Sequence, residues 1–252
     1  MRRTIERLSR GVVLRRRLPE WCGGARILVT PECGLSYWVS AAGDTTLLRN
    51  ASELVRPGAV VWDVGANQGL FALAAAGLAG QHGFVYAFEP DTFLVGLLRR
   101  SAKLNPASAP MEVIPCAVSD QVGLARFRIA ERARSANALE SAEGSSQMGG
   151  VRESQTVMTV SLDWCLEQGF PPPDVMKIDV EGAELSVLRG AGELLRRAKP
   201  AILIEVRASN AQEIAGILQG AGYTLYDSEA TAEERKPLTK PAYNTLALPG
   251  TL

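Results

Sequence analysis

The chain has 252 residues, 46% of them hydrophobic, with 27 basic and 27 acidic side chains and a formal net charge of zero. That is enough apolar material for one large domain, or a domain with an appendage, and too much for overall disorder. The balanced charge gives no global field toward nucleic acid or a membrane surface, and no apolar run reaches the roughly 20 residues of a membrane span.

Residues 1–20 carry Arg2, Arg3, Arg7, Arg10, Arg15, Arg16 and Arg17 against Glu6 and Glu20. Ile5, Leu8, Val12 and Val13 share a helical face, so the segment reads as a solvated helix lying on the domain. The sharper alternative is a basic arm for a membrane surface or an acidic partner. No apolar signal core with a small-residue cleavage site follows, so a secretory signal is not expected. "RILVT" and "LSYWVS", separated by Pro31 and Gly34, read as a hairpin. "DTTLLRNASELVRPG" reads as a helix capped by Asp44 or Thr45. We assign residues 1–44 to a basic arm and hairpin extension and residues 45–252 to the main domain.

From residue 59 the pattern changes. "AVVWDVG" is a buried strand ending in glycine, followed by an apolar helix over 69–80. "FVYAFEP" is a second buried strand, followed by a helix from Asp91 to Leu104. "MEVIPCAVSD" is a third strand running into a loop. "DVMKIDV" is a fourth, with a helix from Glu184 to Arg197, and "PAILIEV" a fifth, with a helix over 210–221. "YTLYDS" and "NTLALP" close the series with no helix between them, so one of them is expected to run antiparallel. Throughout-apolar strands alternating with helices indicate an α/β fold, a mostly parallel sheet covered on both faces. Residues 131–155, rich in Ser, Gly, Ala and charge, read as a flexible loop, with a lid or binding segment as the functional alternative.

The four cysteines, Cys22, Cys33, Cys116 and Cys165, form no CxxC pair. That argues against a zinc site or a disulfide framework, fits a reducing compartment, and makes a cytoplasmic location the expectation. The single histidine, His82, follows the first helix at the sheet end away from the ligand edge, so it reads as a surface residue. Without a basic groove, Tyr37, Trp38 and Trp164 read as packing residues, and no nucleic-acid partner is expected.

"VVWDVGANQG" puts Asp63, Gly65, Asn67 and Gly69 at the carboxyl end of the first strand, where open α/β sheets bind ligands. Twenty residues past Gly69, Glu89 ends the second strand, placed to accept hydrogen bonds from both hydroxyls of an adenosine ribose. A dinucleotide would need GxGxxG and room for a pyrophosphate. Here the spacing is GxxxG and Asp63 would repel a phosphate, so a cationic adenosine ligand such as S-adenosylmethionine fits better. A tight turn without any ligand would leave Asp63 and Glu89 unexplained.

"DVGANQG", "FEP", "AVSD", "SLD", "KIDVEGAE", "RGA" and "PAILIEV" occur in the order seen in FkbM-like S-adenosylmethionine-dependent methyltransferases, and the chain resembles that family over roughly residues 45–207. The resemblance implies a Rossmann-like class I methyltransferase fold, a seven-stranded sheet of order 3-2-1-4-5-7-6 with strand 7 antiparallel. It implies that Asp63, Gly65, Asn67 and Gly69 serve the methionine end of the cofactor, Glu89 the ribose, and Ser119 and Asp120 the neighbourhood of the adenine. It also implies O-methylation of a small-molecule hydroxyl acceptor, a sugar or a polyketide-type natural product. A homo-oligomer stays open.

In an extended strand Lys177, Asp179 and Glu181 share one face, and Glu205 ends the neighbouring strand. Asp179 or Glu181 reads as a general base for the acceptor; a desolvated Lys177 is the alternative base. Asp179 and Glu205, with Glu181, are also candidates to hold a divalent cation, Mg²⁺ or Ca²⁺ given all-oxygen ligands. The bland reading is a satisfied ion cluster. Two rival functions stand beside the methyltransferase: a nicotinamide-dependent oxidoreductase, disfavoured by the missing third glycine, and a non-catalytic binding protein on the same fold.

Overall fold

A computed structural model describes residues 10–33, 45–142 and 150–250. Seven strands form the main sheet: β3 (Val60–Val64), β4 (Phe84–Phe88), β5 (Met111–Ile114), β10 (Val175–Ile178), β11 (Ala201–Glu205), β12 (Tyr223–Asp227) and β13 (Asn244–Pro249). Their order is β12-β13-β11-β10-β3-β4-β5. β10 pairs in parallel with both β3 and β11, whereas β13 runs antiparallel between β11 and β12. This is the class I methyltransferase topology with its antiparallel strand where expected. β3, β4 and β10 are buried almost throughout because helices cover both faces, as their unbroken apolar sequences require.

The helices follow the strands: α1 (Thr45–Leu54), α2 (Leu70–Ala79), α3 (Thr92–Lys103), α4 (Leu162–Glu167), α5 (Glu184–Arg189), α6 (Gly192–Arg197) and α7 (Ala211–Gly220). The single helix expected over 184–197 is therefore two. Gly190 lies between them, where a Cβ would come within 2.4 Å of the Ser119 carbonyl oxygen, so the chain presses against a neighbouring backbone and turns. α2 is apolar all round and buried beneath the hairpin described next.

The amino-terminal expectation needs correction. Leu14–Arg17 is a strand, β1, not part of a solvated helix, and it pairs antiparallel with β2 (Arg26–Val29). Leu18, Cys22, Ile27 and Val29 sit in the same core cluster as α2, which explains why β1 adopts an extended form with alternate side chains turned inward. The expected second arm of the hairpin, residues 35–40, and the candidate cap Asp44 lie outside the described residues.

A second sheet was not foreseen. The chain breaks at Pro115 between β5 and β6 (Ala117–Val118), and β6 joins β9 (Val151–Val160), β7 (Gly123–Ala130) and β8 (Ala138–Leu139) in the order β6-β9-β7-β8. So much of 131–155 is ordered structure rather than a flexible loop: a short 3-10 turn at Arg134–Ala136, then β8, then the start of β9. His82 is exposed in the turn before β4, and all four cysteines are buried and unpaired. Among the described residues no helix is long and apolar enough to cross a membrane.

Candidate active site

Parallel pairing sets Lys177 of β10 directly opposite Asp63 of β3. The Lys177 Nζ lies 3.3 Å from Asp63 Oδ1, donates to the Gly65 carbonyl at 3.0 Å, and lies 3.3 Å from Asp179 Oδ2. Asp63 is fully buried, and its Oδ2 accepts from the Ala72 N–H in the first turn of α2 at 3.0 Å. Burial works against the Lys177 ammonium, but the Asp179 and Asp63 carboxylates outweigh it and hold its pKa above the ordinary lysine value. Lys177 is thus a locked cation, and Asp63 ties the end of β3 to α2.

The row expected from "KIDVEGAE" is shorter than its sequence spacing suggested. β10 ends at Ile178, and Glu181 has a left-handed backbone (φ 56°) followed by Gly182 at φ 107°. Lys177 and Asp179 share a side, while Glu181, beyond the strand end, pairs with Arg207 Nη2 at 3.0 Å and borders the same cavity as Asp179. The turn is clipped by Glu184, the last residue of "KIDVEGAE", which was assigned no site role. Its Oε1 accepts from Val180 N–H at 3.2 Å and Gly182 N–H at 2.9 Å. Gly65 is obligatory here for a packing reason: a Cβ would sit 1.9 Å from the Asp179 carbonyl oxygen, and φ is 77°.

Glu89 ends β4. Its Oε2 accepts from Asn67 N–H at 2.7 Å and its Oε1 from Asp91 N–H at 2.8 Å, which binds the glycine turn to the start of α3. Burial pushes its carboxyl up to about 8. Glu89 borders a cavity whose wall also includes Gly65, Asn67, Phe88, Val118 and Asp179. Gly69 caps α2 with φ 94°. Ser119 and Asp120 bond to each other at 3.1 Å and do not border this cavity; Cys116, Ala117 and Val118, just before them, do. Phe127 and Leu139 of the second sheet and Arg134 of the turn before β8 also line it.

A second cavity opens beside the first along β10 and β11. Asp179 borders both. Its other polar walls include Asn50, Glu205, Ser228 and Asn244. Glu205 Oε2 accepts from the Tyr243 hydroxyl at 2.7 Å. Burial first, then the Asp179 charge, pushes the Glu205 carboxyl up to about 7; burial with Asp179 and Glu205 does the same to Glu181. Among the described residues no group of three or more His, Cys, Asp or Glu side chains is arranged to hold a metal ion. The Lys177 ammonium already sits against Asp179, where a divalent cation would compete with it. The donor set at Asp179 and Glu205 therefore does not fit a cation.

The first cavity brings together an acid at the end of β4, apolar walls from Phe88 and Val118, and a glycine turn without a third glycine. The family model described as "Methyltransferase FkbM domain" matches residues 63–225. Hexuronic acid methyltransferase AglP of Haloferax volcanii is 32% identical over 169 residues, 66% of this chain. The match spans 63% of that relative's length. 31-O-demethyl-FK506 methyltransferase FkbM of Streptomyces tacrolimicus is 29% identical over 208 residues, covering 72% of this chain and 78% of that protein. A solved methyltransferase FkbM from Methylobacillus flagellatus KT superimposes over 81% of this chain and 52% of that chain, with TM-score 0.49 and 16% identity.

Proposed function

The chain belongs to the FkbM methyltransferase family, and from that premise we propose that it is an S-adenosylmethionine-dependent O-methyltransferase. The acceptor is a hydroxyl on a small molecule, a sugar or a polyketide-type natural product, in keeping with the names of the two relatives. One observation carries the reading: the cavity bordered by Glu89 and the polar cavity bordered by Glu205 meet at Asp179. A donor bound in one and an acceptor bound in the other would be adjacent.

S-adenosylmethionine, when bound, supplies a methyl group on a sulfonium. Glu89 would hold the ribose hydroxyls through the lone pairs its two backbone bonds leave, and Phe88 and Val118 would flank the nucleoside. The Gly65–Asn67 backbone would face the methionine end. Asp63 serves this site by fixing Lys177 and α2, since both its oxygens are already engaged. Lys177 holds Asp179 at the junction of the cavities. Glu205, poised near neutrality and lining the acceptor cavity, would take the proton that the hydroxyl gives up. Much of the acceleration would come from placement.

The test is tritium transfer from methyl-labelled S-adenosylmethionine to a panel of sugars, glycosides and macrolide aglycones, alongside calorimetric titration with S-adenosylhomocysteine. Label appearing in one acceptor with homocysteine-product binding supports the proposal. Binding without turnover on any acceptor supports the non-catalytic rival. Oxidation of NADH without product binding would point to the oxidoreductase.

A further inference from the structure

Arg134 belongs to none of the motifs read from the sequence, yet it is 7% exposed and borders the first cavity. Its Nη1 donates to Asp91 Oδ2, and its Nε donates to Glu32 Oε2 at 3.3 Å. The guanidinium carbon stands 4.6 Å from the centre of the Phe93 ring. Asn137 Nδ2 donates to the same Asp91 oxygen at 2.9 Å, and its Oδ1 accepts from the Ala130 N–H at 2.8 Å. Asp91 reaches further: its N–H donates to Glu89, and its Oδ1 caps α3 through Phe93 N–H at 2.9 Å.

Three distant segments therefore converge on one guanidinium: the end of the hairpin at Glu32, the start of α3 at Asp91, and the turn before β8. Arg152 Nη1 also donates to Glu32 Oε2, at 2.7 Å, so Glu32 has a second cation and it is the buried Asp91 carboxylate that depends most on Arg134. A planar fork can serve both at once, whereas an ammonium is a point charge. The same turn sends Ser135, Asn137 and Leu139 into the cavity wall.

We propose that Arg134 is a positioning residue of the cofactor site: through Asp91 it sets the Glu89 carboxylate, and through its own turn it holds the second sheet against the nucleoside half of the cavity. The inference rests on the S-adenosylmethionine reading of that cavity. It makes cofactor affinity depend on a segment outside the glycine turn.

The experiment titrates S-adenosylhomocysteine calorimetrically into the full chain and into Arg134→Lys, Arg134→Met and Arg126→Met, with thermal melts of each. Arg126 lies on β7, and its Nη1 donates to Thr156 at an exposed position, so it controls for loss of charge. Arg134→Met is expected to weaken binding at least about tenfold, the size of one charge-assisted hydrogen bond. Arg134→Lys should fall between it and the wild type while melting within a few degrees of the wild type, and Arg126→Met should bind normally. Wild-type affinity in a folded Arg134→Lys and Arg134→Met overturns the proposal, as does a lowered melt with unchanged affinity. If Arg134→Met does not fold, Arg134→Lys alone decides: weakened binding supports the proposal and wild-type binding overturns it. A wild-type chain that binds no S-adenosylhomocysteine would instead refute the cofactor reading on which the inference rests.

Discussion

Lys177 and Asp63 face each other across adjacent parallel strands, Nζ to Oδ1 at 3.3 Å, with Asp63 fully buried and Lys177 nearly so. A buried ion pair is not a measure of stability by itself, because desolvation offsets its attraction; removing one member is what is costly. Lys177→Met should therefore destabilise the fold by about 3–5 kcal/mol, leaving Asp63 charged and unpaired. Asp63→Asn should cost less, because the amide keeps the shape and Lys177 retains Asp179 and the Gly65 carbonyl. Urea unfolding of both variants checks the ranking; equal losses would mean that the pair with Asp63 matters no more than the others.

Glu89→Gln keeps the volume but exchanges an acceptor for a donor. Above pH 8, where the Glu89 carboxyl is ionised, hydrogen bonds to a charged group are worth about 1.5–3 kcal/mol, so S-adenosylhomocysteine affinity measured there should fall by about 10–100-fold. Calorimetry reads this directly, and unchanged affinity would remove Glu89 from the cofactor site.

Glu205→Gln should lower turnover by about 10²–10⁴ while leaving S-adenosylhomocysteine affinity near wild type, the pattern of a lost general base. In the wild type the base acts when deprotonated. With the Glu205 carboxyl pushed up to about 7, turnover should rise with pH and level off above that value. Glu181 sits near the same value and feels the Glu205 charge, so the observed midpoint belongs to the pair. The pH–rate profile should flatten in Glu205→Gln. Turnover should also survive exhaustive treatment with EDTA; its loss, restored by Mg²⁺ or Ca²⁺, would reinstate the cation reading of Asp179 and Glu205.

Stability of the ligand-free chain should fall as pH rises from about 5 through about 8. Three buried or half-buried carboxyls, Glu89, Glu181 and Glu205, are raised to about 8, 7 and 7 in the fold. Over the window between an ordinary carboxylate value and these, the folded chain holds protons that the unfolded chain has released, so rising pH favours unfolding. Thermal melts across that range test the slope, and Glu89→Gln should reduce it throughout and remove most of what remains between pH 7 and 8.

Gly65→Ala should be far worse than an ordinary glycine substitution. The new methyl would meet the Asp179 carbonyl oxygen, a backbone atom that cannot swing aside, at a positive φ that already disfavours a side chain. Displacing that loop disturbs both cavities, so product binding and melting temperature should fall together. Normal binding in this variant would mean the loop is more yielding than its packing indicates.

The sheet order was legible because it depends on local signals. Apolar runs bounded by glycine and proline mark buried strands, and the helix-free link before the last of them marks the antiparallel one. The carboxyl-edge residues Asp63, Glu89, Asp179 and Glu205 were legible for the same reason: a charge ending a buried strand stands out against its neighbours. Which partner each charge takes was not, because pairing depends on register between strands more than a hundred residues apart. Lys177 read as an alternative base or as the partner of some acid; register made it the partner of Asp63 and Asp179.

The second sheet and Arg134 carried no such signal. β8 is two residues long, β9 begins in an exposed polar stretch, and Arg134 sits in a Ser- and Ala-rich segment indistinguishable in composition from a solvated loop. Its burial is meaningful only once Glu32 and Asp91, distant in sequence, are brought beside it. Sequence by itself determined the parallel α/β framework and the edge where chemistry gathers, since both follow from short-range hydrophobic pattern. Only the tertiary structure decided which charges are locked, which line a cavity and which segments meet over it, since a buried charge takes its role from neighbours that folding alone supplies.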